Sequence, residues 1–190
     1  MASRPVGSMD YLLAAIQGVV SFLALLRAAN AGAHSSAGSL IGVSFLLGPL
    51  GGLIGLFLFA AIYRRLGVRA GGAAPRSQVV HVLAYGGLPV AASLGLWLVC
   101  ALLAGGATFV ETPPADLEGF VVFLLHAQFA AYIALWLWSI LLQVMGFSEI
   151  QGITLAKALW VWVFGQLVAV LGALFLNVLI GILVPGVAPH

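Results

Sequence analysis

The chain has 190 residues, of which 63% are hydrophobic and 6% charged, and its formal net charge is +2. An ordinary soluble domain carries roughly 25% charged residues and presents a largely polar surface to water. The composition therefore excludes a soluble globular protein and predicts an integral membrane protein, whose first partner is the lipid bilayer. The single cysteine, Cys100, excludes an intrachain disulfide.

Five apolar runs approach or exceed the length of about 20 residues that a spanning helix needs. The sequence thus predicts an all-α fold: a polytopic membrane helical bundle of five transmembrane helices in a single domain, residues 1–190. The predicted helices cover about 11–28, 40–63, 85–104, 120–144 and 158–184.

The first run has a second interpretation, as a cleaved secretory signal. Arg4 precedes it and the small residues 28–31 follow it, as in a signal with its cleavage site. Asp10 and Arg27 at its two ends favour a retained helix instead.

Two features lie at the edges or inside the predicted spans. In residues 77–83, apolar side chains recur at i, i+3 and i+4, which predicts a short amphipathic helix on the cytoplasmic surface, leading into the third span. Pro49 and Pro89 fall inside spans, where each removes a backbone donor. We predict a packing kink at each, with an unwound stretch that lines a cavity as the alternative.

The charged residues separate by loop. Cytoplasmic loops are enriched in Lys and Arg, so the arginine-bearing loop after the second helix is predicted to be cytoplasmic. Five spans then place the N-terminus in the cytoplasm and the C-terminus outside, with Arg27 as the one basic residue on the external side. The arginines of that loop are Arg64, Arg65, Arg69 and Arg76, and the acids of the next loop are Glu111, Asp116 and Glu118.

Small residues spaced four apart recur in several spans, most densely in the second. Helices in lipid associate by close packing across such residues. We expect packing within the chain, with a homodimer interface as the alternative; Gly38 and Gly42 form one pair near the start of this helix. The candidate helix-packing or dimer face is Gly48, Gly51, Gly52 and Gly55.

No sequence pattern typical of a metalloprotease, serine hydrolase or phosphate-binding loop is present, and no acidic pair lies within a helix. We therefore predict no enzymatic activity, no catalytic residue, no metal and no cofactor. The arginines lack the interleaved aromatic residues typical of nucleic-acid binding, so no nucleic-acid partner is predicted.

Polar residues at membrane depth are candidate functional residues. His126 and Asn177 each lie six or seven residues from the external end of a predicted helix, roughly 10 Å deep. They are expected to meet, as an interhelical hydrogen bond or as the lining of a polar cavity between the third, fourth and fifth helices. The glutamines within or near the spans are expected to be satisfied by packing. The full candidate set is Tyr85, Pro89, His126, Glu149 and Asn177.

Three segments also carry a family resemblance. An arginine-bearing loop follows a glycine-rich helix, Leu-Ala-Tyr-Gly-Gly-Leu-Pro occupies 83–89, and Met-Gly-Phe-Ser-Glu-Ile-Gln-Gly occupies 145–152. In order and spacing these resemble the bacterial Yip1-domain family, with a corresponding core at about 40–185. The resemblance implies five spanning helices, a cytoplasmic N-terminus and a loop at 145–152 between the last two helices. It does not imply an enzyme, and it gives no substrate and no reaction.

The function predicted from these observations is a membrane-organising or protein-interaction role in the bacterial cytoplasmic membrane. The partners would be copies of the chain or other membrane proteins. The alternative is a small transporter, channel or lipid-handling protein with a polar cavity.

Overall fold

The computed structural model describes residues 5–112, 117 and 119–183, with the backbone alone for residue 169 and residues 172–183. Every regular element in these ranges is helical, which confirms the all-α prediction for this part of the chain. Single 3-10 turns at Ala31–Ala33 and Gly105–Phe109 follow the first and third spans. The helices are α1 Ser8–Ala28, α2 Ala37–Arg69, α3 Arg76–Gly86, α4 Leu88–Ala92, α5 Leu94–Ala104, α6 Gly119–Gln151 and α7 Leu155–Leu183.

In the part of the chain that the structure describes, four helical stretches are long and apolar enough to cross a membrane: Ser8–Ala28, Ala37–Arg69, Arg76–Phe109 and Gly119–Gln151. The fifth long helix, α7, has 29 residues and is apolar over Leu155–Val168. The lengths and compositions are those of a membrane protein. Many large apolar side chains are exposed on the outer surface of the bundle, as expected where lipid is the solvent.

The third span is built from three short helices, with α3 placed inside the bundle. The segment at 77–83 is helical, as predicted, but the expected surface position is wrong, because Val79 and Val80 are fully buried among the other helices. The helix is interrupted at Gly87 and again at Ser93, where the Ser93 hydroxyl donates to the Val90 carbonyl at 2.7 Å.

The two prolines behave differently. Pro89 occupies the first turn of α4, where a missing N–H costs least. Pro49 lies inside α2, which continues as one helix from Ala37 to Arg69, so the chain is not unwound there.

The end of α6 differs from the sequence prediction. The resemblance implied a loop at residues 145–152, yet α6 remains helical to Gln151, and Gly152 then turns the chain with a φ of 63°. The helix continues because Phe147 and Gln151 are buried, so tertiary packing extends it past the membrane-length apolar run.

One end of the bundle carries most of the basic residues. Asp10 near the start of α1 and His81 of α3 form a hydrogen bond of 2.6 Å there, and Lys157 at the start of α7 donates to the Ala70 carbonyl at 3.3 Å. We call this the basic end, defined by Arg64, Arg65, Arg69, Arg76 and Lys157.

The opposite end holds the turns that follow α1 and α5. The Asn30 side chain accepts a 2.8 Å hydrogen bond from the backbone N–H of Glu111, and Gly32 packs directly on the Gly106 carbonyl. Since α1 and α7 both begin at the basic end, the chain crosses the bundle an even number of times before α7 begins.

The core has two parts. The cluster nearer the basic end surrounds Tyr63 and Phe147, whose ring centroids are 5.0 Å apart. The cluster nearer the opposite end surrounds Trp97 and Phe109, with centroids 6.0 Å apart. A cavity lies between helices in the middle of the bundle.

Candidate functional site

This cavity has a volume of about 440 Å³ and is walled by α1, α2, α6 and the first half of α7, with Leu83, Gly87 and Val90 of the broken third span closing one side. Gln17, which lies near the middle of α1, is part of the wall. The cavity is therefore at mid-span, within the depth of the bilayer.

Seven uncharged polar side chains line this space. A bundle that is otherwise almost entirely apolar thus concentrates amide and hydroxyl groups at one place. Polar groups at such depth are costly unless they are satisfied by a partner. The seven are Gln17, Ser21, Tyr63, Tyr132, Ser139, Gln143 and Gln166.

Protein partners use only part of this hydrogen-bonding capacity. The Gln17 amide donates to the Ala84 carbonyl at 2.8 Å, and the Gln143 carbonyl oxygen accepts from the Trp162 indole at 3.1 Å. The buried Ser139 hydroxyl has no hydrogen-bond partner among the described residues. The site therefore offers donors and acceptors to a molecule that enters it.

Two glycines fix the positions of polar side chains in the wall. A Cβ at Gly87 would overlap the side-chain amide of Gln17, and a Cβ at Gly165 would overlap the ring of Tyr63. The close approach that glycine allows thus sets where these two polar groups stand.

Two further glycines of the wall have free space where a side chain would stand. A Cβ at Gly51 would meet nothing within 4 Å, and one at Gly55 would meet only a ring carbon of Phe59, at 3.9 Å. Because both residues line the cavity, larger residues there would fill it.

The chemistry of the lining is that of binding. The remaining wall is aromatic and aliphatic, with Trp136, Trp162 and Phe22 among its members. None of its described residues carries a carboxylate, imidazole, amine, guanidinium or thiol. A ligand suited to this wall is uncharged and mostly apolar, with one or two hydrogen-bonding groups.

The residues selected from the sequence lie elsewhere. His126 is exposed on α6, with Nδ1 2.8 Å from the Val122 carbonyl of its own helix, so it does not line the cavity. The side chain of Asn177 lies outside the described residues, and so does the expected contact between it and His126.

The other three candidates also lie outside the wall. Tyr85 is 50% exposed beside His81, with ring centroids 6.4 Å apart. Pro89 is half-buried between the lining residues Gly87 and Val90. Glu149 is exposed near the basic end and forms no ion pair with a described residue.

The four glycines of the candidate packing face on α2 have two different surroundings. A Cβ at Gly48 would lie 2.5 Å from the Val19 Cα, and one at Gly52 would overlap the Ala14 carbonyl. These two glycines therefore pack α2 against α1 within the chain, together with Gly18, whereas Gly51 and Gly55 face the cavity.

The sequence did contain one signal for the cavity. Three of the six glutamines of the chain, Gln17, Gln143 and Gln166, line it. Each lies within a predicted span or close to its end, but three spans have to be rotated correctly about their axes before the three side chains converge.

A second polar group lies toward the opposite end. Arg27 is buried; its guanidinium donates to the Gln128 side chain at 3.1 Å and lies 4.7 Å from the centre of the Phe129 ring.

Comparisons with family models, with curated proteins and with solved structures give no match to this chain.

Proposed function

We propose that this chain is a non-enzymatic integral membrane protein that binds and handles an uncharged amphipathic molecule, as a small transporter or lipid-handling protein does. The observation that carries the proposal is the convergence of seven uncharged polar side chains on one cavity of about 440 Å³ at mid-span. Ligand sites commonly have volumes of 300–1,000 Å³ and are mostly apolar with a few placed polar groups.

The charge of the ligand follows from the lining. A charged group brought to this depth needs a partner of opposite charge, and the described wall provides none. A carbonyl or hydroxyl group, by contrast, meets the amide side chains of Gln17 and Gln166 in the wall. The described residues of the wall likewise offer no carboxylate or imidazole for acid–base chemistry, which supports a binding role.

The family and the cellular location are part of the proposal. The order of the 83–89 and 145–152 segments supports membership of the bacterial Yip1-domain family. The cluster of arginines at the basic end supports a cytoplasmic position for that end, which makes the N-terminus cytoplasmic and the C-terminus external. A bacterial cytoplasmic membrane suits both.

The test is to identify what the purified protein retains. Gly51→Leu puts a side chain into the cavity, and Gly42→Leu puts the same side chain on the same helix outside it, where a Cβ also meets nothing within 4 Å. Mass spectrometry of protein extracted in mild detergent should find a bound neutral lipid in the wild type and in Gly42→Leu, and a loss of it in Gly51→Leu. Equal amounts in all three, or none in the wild type, would contradict the proposal.

A membrane-organising or protein-interaction role is the second candidate. One observation favours it: Gly38 and Gly42 form a Gly-x-x-x-Gly pair on an exposed part of α2, with open space at both. Close helix association across such a pair is typical of membrane interfaces. Crosslinking in native membranes that is lost in Gly42→Leu and kept in Gly51→Leu would support this candidate over the first.

A further inference from the structure

A groove at the basic end is separate from the central cavity. It has a volume of about 360 Å³ and lies between the end of α2 and the start of α7. Its lining combines two cations with an apolar wall. The lining residues are Leu66, Arg69, Ala70, Lys157, Trp160, Val161 and Phe164.

The mouth of the groove lies just beyond the apolar run of α2. The apolar run of α2 from Leu40 to Tyr63 is longer than the roughly 20 residues that cross the hydrocarbon core. Arg69 lies six residues further along the same helix, roughly 9 Å beyond Tyr63. Arg69 therefore lies outside the hydrocarbon core, on the polar side of the boundary at the basic end.

The two cations retain unused hydrogen-bonding capacity. Arg69 is exposed and makes no hydrogen bond or ion pair with any described residue. The Lys157 ammonium donates once, to the Ala70 carbonyl at 3.3 Å, which leaves other donors free. Ala70 directly follows Arg69, so the two positive groups flank the same turn of chain.

No described acid compensates these charges. Asp10, at the same end, is buried and accepts hydrogen bonds from the Gly7 backbone and from His81. Glu149 forms no ion pair with either cation. The mouth of the groove is therefore positively charged in the part of the chain that the structure describes.

Below the cations the groove becomes apolar. Trp160 and Phe164 are one helical turn apart on α7, with ring centroids separated by 5.7 Å, and both are well exposed. Leu66 and Val161 complete the wall. From Lys157 to Phe164 the groove extends roughly 10 Å toward the core, the direction in which an acyl chain descends.

We propose that this groove binds an anionic phospholipid, whose phosphate is held by Arg69 and Lys157 and whose acyl chain lies along Trp160 and Phe164. Basic recesses between helices at the cytoplasmic side bind anionic headgroups in this way, and tryptophan at the interface suits the boundary between headgroup and chain. The bound lipid would join the end of α2 to the start of α7, where the Lys157 ammonium already donates to the Ala70 carbonyl.

The test compares two lipids and two pairs of substitutions. Native mass spectrometry of the full chain, titrated with dioleoylphosphatidylglycerol or dioleoylphosphatidylcholine, should show preferential retention of the anionic lipid. Arg69→Gln with Lys157→Gln should reduce that preference by roughly 30-fold, which corresponds to about 1 kcal/mol for each cation. The matched control, Arg64→Gln with Arg65→Gln, removes the same charge from the same end outside the groove and should keep most of the preference.

Three outcomes overturn the proposal: no preference in the wild type, the same loss in both pairs of variants, or a second copy of the chain occupying the groove. Arg69→Gln alone carries the test if the double variant cannot be isolated, because Arg69 makes no polar contact that folding needs. Phosphatidylglycerol brominated on its acyl chain should also quench wild-type fluorescence more than that of Trp160→Phe, and equal quenching would place the chain elsewhere.

Discussion

At the scale of single residues, the depth of a residue in the membrane is easier to predict than the direction in which its side chain points. The sequence placed His126 and the glutamines in apolar segments, and depth alone made His126 the stronger candidate. The structure separates them by direction, since His126 is exposed while Gln143, on the same helix α6, faces the cavity. An apolar span has little amphipathic pattern to show which side faces the protein, so this distinction required the packed helices.

Asp10 gives a prediction at this scale. Its carboxylate is 1% exposed and accepts hydrogen bonds from the Gly7 N–H at 2.7 Å and from His81 at 2.6 Å. Hydrogen bonds to a charged group are worth about 1.5–3 kcal/mol, so Asp10→Asn should lower the free energy of unfolding by about that amount. Thermal unfolding in detergent measures the effect. Glu149→Gln, at an exposed acid without a described partner, is the control and should change stability by less than about 0.5 kcal/mol.

At the scale of helices, the lengths of the apolar runs predicted how many long helices the chain forms. The ends were less predictable, because α2 and α6 continue beyond the apolar runs where Tyr63, Gly67 and Gln151 are packed inside the bundle. The glycine spacing in α2 predicted close packing against another helix. It did not show which of the glycines would face that helix, which is α1. Gly48 and Gly52 do, and Gly51 and Gly55 do not.

The α1–α2 contact can be tested with two alanine substitutions. In Gly52→Ala the new methyl group overlaps the Ala14 carbonyl of α1, so the helices must separate. Overpacking of this kind typically costs about 1–3 kcal/mol. In Gly42→Ala the methyl group meets nothing within 4 Å, and the better helix propensity of alanine should stabilise by up to about 1 kcal/mol. Unfolding midpoints that move together in both variants would show that α1 does not pack on Gly52.

At the scale of the whole molecule, composition and charge predicted an all-helical membrane bundle with its basic residues gathered at one end. They did not predict the cavity, because it lies between segments from α1 to α7 that are far apart in the sequence. The alternative function had assigned a cavity to the last three spans, whereas the observed wall also needs Gln17 of α1 and the glycines of α2.

The orientation of the bundle makes a prediction that labelling can check. In a Cys100→Ala background, Ser35→Cys lies exposed at the end opposite the basic end, and Ala73→Cys lies exposed in the loop after α2. If the basic end is cytoplasmic, an impermeant maleimide added to intact cells should label Ser35→Cys at once. It should label Ala73→Cys only after permeabilisation. The reverse pattern would invert the proposed topology.

If the mid-span cavity admits an uncharged amphipathic molecule, chemical labelling at two serine positions should show it. In a Cys100→Ala background, Ser139→Cys places a thiol in the wall of the cavity, and Ser93→Cys places one in the third span away from it. N-ethylmaleimide should modify Ser139→Cys and spare Ser93→Cys, and dioleoylglycerol, but not dioleoylphosphatidylglycerol, should protect Ser139→Cys. Equal resistance of the two thiols, or labelling that no lipid changes, would contradict a ligand-binding role for the cavity.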